Sequence, residues 1–355
     1  MNSILNTIIV EATVNGSGPY RFLLDSGAPT LFTRGLTEDL GLATTGISAI
    51  NDVNRLKQAT TLVTADNLSI GGLTVNQVGA AILNNPELEC LANGGILGAN
   101  VLKHGAWSID FEQQRVLASD DVTRLNVAQS EIEWMPFTTE FGKDEPWVKM
   151  MINGESVSVE IDTGSNREIG ITTATFRKVS ERDLSGEITG HGLSSIGLAG
   201  RTTETSYRSR LQSVALGGHE YLQVSAQVKE ANTNRVGTRF FKGQRLIIDW
   251  TSSRIAVIGA PDNSRPRVAE YGVSLLGDAE GVYVGYVWEG SAAAEAGLVP
   301  GTRVNAVNGE PLTAQAPCYS VPRLQDYSGP LKLTTLIDGH SSQVSLEKRP
   351  ILSRR

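Results

Sequence analysis

Two tripeptides in this chain have the makings of one chemical site: Asp25-Ser26-Gly27 and Asp162-Thr163-Gly164. Each follows an apolar run, Phe22-Leu23-Leu24 in the first case and the alternating Val157, Val159 and Ile161 in the second. A strand that ends in Asp-Ser/Thr-Gly sets a carboxylate on a tight turn, where backbone amides solvate it and glycine admits close backbone approach. Two such turns face to face would hold two carboxyls too near each other for both to ionise, so the pair keeps one shared proton. The ionised member then takes a proton from a bridging water, which attacks a carbonyl carbon, while the protonated member donates to the carbonyl oxygen. That chemistry is peptide hydrolysis, and it needs no covalent nucleophile. The four histidines, His104, His191, His219 and His340, stand apart without ligand spacing, so no metal site and no cofactor is expected.

The elements that must position these turns form an internal repeat. Asn15-Gly16 turns the chain into the run before Asp25, and Asn153-Gly154 does the same before Asp162. Downstream come Ile96-Leu97-Gly98 and then Ile109-Asp110-Phe111 in the first copy; Val236-Gly237 and Ile248-Asp249-Trp250 follow in the second. Asp25 to Gly98 is 73 residues, Asp162 to Gly237 is 75, and the step from each of these glycines to the later Asp is 12 in both copies. Such matched register marks two related lobes. Gly71-Gly72 and Gly217-Gly218 mark turns between alternating strands in each copy, and the nine extra residues before the second imply a longer hairpin there. Asp110 and Asp249, each in an apolar strand near a turn, read as structural.

Phe22-Leu23-Leu24-Asp25-Ser26-Gly27-Ala28 together with Gly95-Ile96-Leu97-Gly98 resembles the retropepsin-like aspartyl proteases, here duplicated within one chain. The resemblance implies that Asp25 and Asp162 are the catalytic pair. It implies that Ser26, Gly27, Thr163 and Gly164 support the active-site turns, with Ser26 and Thr163 hydrogen-bonded across the lobe interface. By the same resemblance Gly98 and Gly237 mark strands beneath the catalytic loops, and the hairpins before the Gly-Gly turns are flaps. Thr45 to Leu56 would form the first flap; Gly190-His191-Gly192 with Ile196-Gly197 would form a mobile, glycine-rich second one. The second copy departs from the pattern, with Arg235-Val236-Gly237 where two apolar residues precede glycine in the family and Ser165-Asn166-Arg167-Glu168 after its turn. These departures predict distortion of the second lobe. They also keep an alternative open, a non-catalytic peptide-binding adaptor built on a decayed protease fold.

Beyond the linker-like Ala260 to Pro266, short strands follow: Tyr271-Gly272-Val273-Ser274-Leu275, Gly281-Val282-Tyr283-Val284, the Ser291 to Gly297 helix and Asn308-Gly309. This stretch resembles a PDZ domain of the bacterial protease-associated type. The resemblance implies that the Tyr271 to Leu275 loop receives a terminal carboxylate while the next strand edge pairs with a C-terminal peptide. The linker implies a separable docking unit.

The expected fold class is mainly β, with two pepsin/retropepsin-like β-barrel lobes at 1–125 and 126–260 and a small α+β PDZ-like domain at 265–355. A formal charge of −7 and a pI near 5.3 exclude nucleic acid as the main partner, which requires clustered Lys and Arg. The partners expected are protein or peptide substrates. Since both turns lie on one chain, the catalytic unit is expected to be a monomer. No stretch reaches the roughly 18 apolar residues of a membrane helix, and the start lacks a basic region leading into an apolar core. The chain reads as soluble, cytoplasmic as written and periplasmic or secreted if a signal peptide has been removed. Cys90 and Cys318 fall in different units and read as buried thiols.

Overall fold

The computed structural model describes residues 7–51, 56–127, 132–140, 143–181, 184–185, 187–193, 197–198, 200–231, 233–263, 269–312, 324, 327–337 and 340–351. Its first hairpin turns on Asn15 and Gly16, both left-handed at φ 50° and 75°, and its counterpart turns on Asn153 and Gly154 at 49° and 86°. That backbone twist matches the twist of paired strands, and Asn and Gly are the residues that adopt it at least cost. Each Asn side chain also accepts from the strand alongside, Asn15 from Asn67 N–H at 3.1 Å and Asn153 from Gln212 N–H at 2.9 Å.

Lobe 1 holds β1 (Ile9–Val14), β2 (Ser17–Asp25), β3 (Leu31–Thr33), β4 (Thr44–Asn51), β5 (Lys57–Ile70), β6 (Leu73–Leu83) and β7 (Gly95–Gly98), with α1 (Arg34–Asp39), α2 (Pro86–Leu91) and α3 (Ala99–Leu102). Next come β8 (Ala106–Asp110), β9 (Arg115–Ser119) and β10 (Met135–Pro136). Lobe 2 repeats the plan as β11 (Trp147–Ile152), β12 (Glu155–Ile161), β13 (Ile169–Thr172), α4 (Thr173–Ser180), β14 (Ile188–Leu193), β15 (Thr203–Leu216), β16 (His219–Lys229) and β17 (Arg235–Val236), followed by β18 (Arg245–Asp249) and β19 (Arg254–Ile258).

Strand order makes the duplication explicit. Lobe 1 runs β1-β2-β7-β3-β6-β5-β4 with β1 also pairing β5, and lobe 2 runs β11-β12-β17-β13-β16-β15-β14 with β11 also pairing β15. The fold is mainly β, and the predicted distortion of the second lobe is absent from its sheet. One difference is α2, which follows β6 in lobe 1 and has no counterpart among the described residues of the short connection from β16 to β17.

Beneath both lobes a separate sheet runs β10-β19-β18-β8-β9, in which β8 and β18 pair antiparallel around Ser108 and Ile247. Asp110 accepts from Gln113 N–H and from Arg245 of the other lobe (2.6 Å), and Asp249 holds Ser252 N–H and Arg254. Both acids therefore close turns of this sheet, as their sequence setting indicated. A single apolar core spans the two lobes, with Phe22, Leu24, Trp107, Ile161, Phe240 and Ile248 all sealed from solvent. At about 1.5–3 kcal/mol per fully buried large side chain, this shared core joins the lobes into one body.

The C-terminal region contains β20 (Ala269–Glu270), β21 (Val273–Asp278), β22 (Gly281–Trp288), α5 (Ala292–Glu295), β23 (Arg303–Val307), β24 (Glu310–Pro311), β25 (Leu331–Ile337), β26 (His340–Leu346) and β27 (Arg349–Pro350) around its own small core. Ser291 caps α5 by accepting from Ala294 N–H at 3.2 Å. The region is continuous with lobe 2, because β22 pairs antiparallel with β14 at Gly190, His191 and Gly192.

Two readings are corrected here. Gly190 and Gly192 do not mark a loose flap: a Cβ on Gly190 would lie 2.4 Å from the Tyr286 ring, and one on Gly192 would lie 2.2 Å from Gly285 O. They admit close approach of β22, and Ser206 with Tyr286 (2.6 Å) and Arg208 with Glu270 (2.8 Å) tie the seam further. Cys90 is not a thiol but is disulfide-bonded, and Cys318 lies outside the described residues. Assignment of the two cysteines to different units had argued against a disulfide, and that assignment sets no lower bound on distance once a chain folds back. The linker residues 264–268, Ile196 of the second flap and residues 52–55 of the first also lie outside the described residues.

Candidate active site

The two Asp turns meet at the lobe interface through a reciprocal set of hydrogen bonds. Ser26 N–H donates to Thr163 Oγ1 at 2.9 Å and Thr163 N–H donates to Ser26 Oγ at 3.1 Å. Each hydroxyl in turn donates to the backbone of the opposite lobe, Thr163 to Leu24 O at 2.9 Å and Ser26 to Ile161 O. Both side chains are buried, so each group is satisfied only by its partner lobe. The hydroxyls at these two positions thus fix the separation and facing of the neighbouring carboxylates.

Beneath the turns run β7 and β17, in parallel register with β2 and β12, with Asp25 opposite Gly98. A Cβ on Gly98 would lie 2.2 Å from Pro29 C, and one on Gly237 would lie 2.5 Å from Arg167 O. Both positions therefore demand glycine, since the catalytic-type loops pass directly over them. Gly27 and Gly164 serve the site itself. A Cβ on Gly164 would meet the Asp25 carboxyl carbon at 2.3 Å, and one on Gly27 would meet that of Asp162 at 2.8 Å. Each carboxyl packs on the glycine of the opposite turn.

The Asp25 and Asp162 carboxyls face one another across the interface, close enough for the Asp162 charge to act on Asp25. Asp25 keeps a small window to solvent yet is ringed by protein. Burial first, and then the Asp162 charge, push its carboxyl up to about 8, against the Gly27 N–H that it accepts at 2.9 Å. Asp162 accepts from Ser165 N–H at 2.9 Å and lies 3.2 Å from Arg235 Nε. Arg235 Nε also donates to Glu160 at 2.9 Å. Glu160 is almost sealed from solvent, and burial, with Asp162, Glu145 and Asp25 adding, pushes it up to about 8 against the pull of Arg235.

All the predicted site residues of the two lobes, Asp25, Ser26, Gly27, Gly98, Asp162, Thr163, Gly164 and Gly237, thus gather at one place. The sequence reading missed Glu160 and treated Arg235 only as a departure. A signal was present: in the aligned copies, Leu23 and Ile96 of lobe 1 become Glu160 and Arg235 of lobe 2, a paired replacement at opposed positions. Across the cleft, the tip of the second flap reaches lobe 1. Asn85 donates to Gly197 O at 2.9 Å, Arg201 pairs with Glu87 at 2.9 Å, and Leu198 packs beside Leu31, Ile50, Ile82 and Leu83. Among the described residues no cluster of His, Cys, Asp and Glu has metal-binding spacing, and no helix is long and apolar enough to cross a membrane.

Tyr271 to Leu275 lie elsewhere, at the start of β21. Tyr271 is buried and donates its hydroxyl to Gly329 O at 2.6 Å, so its ring belongs to the core of the C-terminal region. Gly272 has φ +82° and packs on Ser291. Val273, Ser274 and Leu275 pair with β22, and among the described residues the other edge of β21 has no strand partner.

Residues 10–101 match a family model described as aspartyl protease. In sequence, the first lobe is aspartyl protease-like. The match takes in the Asp25 turn and Gly98 and stops before the second lobe. No curated protein matches the chain. Among solved structures, an aspartic proteinase from Irpex lacteus is similar at 14% identity, over 73% of this chain and 96% of that one, with a TM-score of 0.44. A retropepsin-like aspartic protease from Rickettsia conorii is similar at 17% identity over 36% and 94%, TM-score 0.26, and Basic 7S globulin from soybean at 10% over 74% and 94%, TM-score 0.43.

Proposed function

We propose that the chain is an aspartic endopeptidase that cleaves protein or peptide substrates by activating water between Asp25 and Asp162. The observation that carries this reading is the facing pair of carboxyls, each seated on the glycine of the opposite turn and braced by the Ser26 and Thr163 hydroxyls. Two buried carboxyls in contact hold one proton between them, which supplies a general acid and a general base at the same place. A water bridging them would lose a proton to the ionised member as it attacks the peptide carbonyl, and the protonated member would donate to the carbonyl oxygen. Both Asp residues belong to one chain, which supports a site complete in a monomer.

The C-terminal region is read as a PDZ-like module that docks a C-terminal peptide or positions substrate. Support comes from the edge of β21 that has no strand partner among the described residues and from the Tyr271 to Leu275 backbone that precedes and begins it, with the Tyr271 side chain acting as a core anchor. The rival reading, a peptide-binding adaptor without cleavage, draws on the contact of Arg235 with Asp162. Incubation with an unfolded protein separates the two: new termini that the wild type produces and Asp25→Asn does not would establish the peptidase. Peptide binding without cleavage at any pH from 3 to 9 would establish the adaptor.

A further inference from the structure

Three carboxyls, Asp25, Glu160 and Asp162, meet beside the Asp turns, and among the described residues one guanidinium is in direct contact with them, that of Arg235. Isolated charges in such a setting are costly, so the cluster settles near neutrality, with one anion matched to one cation and two protons retained. Which carboxyl carries the charge follows from the donors aimed at it. Asp162 accepts the Ser165 amide (2.9 Å) and lies 3.2 Å from Arg235 Nε. Asp25 has the Gly27 amide at 2.9 Å and no cation within ion-pair distance among the described residues. Glu160 has Arg235 at 2.9 Å but is nearly closed to solvent.

The remaining charged groups leave this ranking unchanged. Burial acts most on Arg167, in the loop after the second turn, and among its charged neighbours Glu204 of β15, which also holds Lys229 of β16 at 3.0 Å, comes before Asp162. Glu145 and Lys143, from the segment before β11, act on Glu160. Lobe 1 has no equivalent device, since Leu23 and Ile96 stand at the corresponding positions in an apolar cluster.

We propose that Arg235 is a positioning residue that holds the negative charge of the carboxyl pair on Asp162 and thereby assigns Asp162 as the base and Asp25 as the proton donor. Resting on the peptidase reading, the inference adds what that reading leaves open, namely which carboxyl does which task. It turns a departure from the apolar pattern into the element that breaks the symmetry of the two turns.

The test compares wild type, Arg235→Lys, and the double variant Glu160→Leu/Arg235→Ile, which restores the apolar pair of lobe 1 and removes Glu160 together with the guanidinium it faces. Carbon-13 NMR of carboxyl-labelled aspartate, assigned with Asp25→Asn and Asp162→Asn, reads the proton directly in each protein. At pH 6 the wild type is expected to show a protonated Asp25 beside an ionised Asp162, and the double variant a proton distributed over both. In the pH profile of kcat/KM, the acid limb is expected to move up by about 1 pH unit in the double variant, the lower end of what a neighbouring guanidinium exerts on a carboxyl; Arg235→Lys keeps the limb near its wild-type position. A proton on Asp162 in the wild type, or a limb that stays in place in a folded double variant, overturns the inference. If the wild type cleaves nothing, the peptidase reading fails separately, and the NMR arm still decides where the proton resides.

Discussion

Lobes 1 and 2 share one strand order and one hairpin chemistry, yet they bury opposite kinds of residue beside their Asp turns. Under the first flap lie Leu23, Leu31, Leu83 and Ile96, an apolar floor. The matching region of lobe 2 carries the Glu160–Arg235 pair, with Lys229 and Glu204 paired nearby. The flaps differ as well: β4 is the outer strand of its sheet, while β14 is covered by β22 of the C-terminal region. Duplication thus preserved what the fold needs, the glycines and hydroxyls at the turns, and left free the face that determines charge and access.

The comparison breaks most readily at the acids. Asp25→Asn and Asp162→Asn are each expected to lower kcat by about 10²–10⁴-fold, the range of a general acid or base, with unchanged circular dichroism. Equal losses would make the lobes functional partners, whereas near-normal turnover in either variant would leave one lobe as scaffold.

Next in size are the glycines across the interface. Gly164→Ala would drive a methyl against the Asp25 carboxyl and is expected to reduce kcat/KM about 100-fold, as an ångström-scale displacement of a reacting group does. Gly27→Ala, whose Cβ meets Asp162 at 2.8 Å where that of Gly164 meets Asp25 at 2.3 Å, is expected to lose less. A reversed order would show that the two carboxyls do not sit as reciprocally as their packing indicates.

The flap difference is sharpened by Trp288→Ala. Trp288 is buried where β22 meets β14, with the Arg208 guanidinium 4.3 Å over its ring. Amide exchange is expected to rise in residues 188–193 and to stay constant in residues 44–51. For the same reason, deletion of residues 265–355 strips a strand from the second flap and is expected to slow cleavage of short peptides as well as proteins. Loss confined to protein substrates would restore the separable docking unit that the linker suggested.

A pH effect of smaller size follows from Asp25. Its carboxyl is raised from an ordinary 3.8 to about 8 by burial and the Asp162 charge. The native state therefore binds that proton more tightly than the unfolded chain does. The associated stability is complete below pH 3.8 and is lost as pH rises through about 8. Asp25→Asn, which needs no proton, is thus expected to raise Tm more at pH 8 than at pH 4, and an equal gain at both would contradict the shift. Smallest is the bridge between lobes: Glu87→Ala, breaking a partly exposed pair with Arg201, should cost no more than about 1 kcal/mol in denaturant unfolding.

Much of this protein was determined by local sequence. Asn-Gly turns, alternating strands, two Asp-Ser/Thr-Gly tripeptides and glycines at matched offsets depend on backbone sterics and short-range hydrogen bonding, which a linear pattern records directly. Asp110 and Asp249 were legible as structural for the same reason. What the tertiary structure decided were pairings between residues far apart in the chain. Glu160 meets Arg235 because the parallel register of β12 and β17 sets them side by side, and without that register Arg235 reads as an intrusion. Gly190 and Gly192 suggested mobility because glycine permits both freedom and close approach, and only the position of Tyr286 and Gly285 shows which applies. Residue type states what a group can do; the neighbours brought to it by folding determine its charge, its partners and its freedom to move.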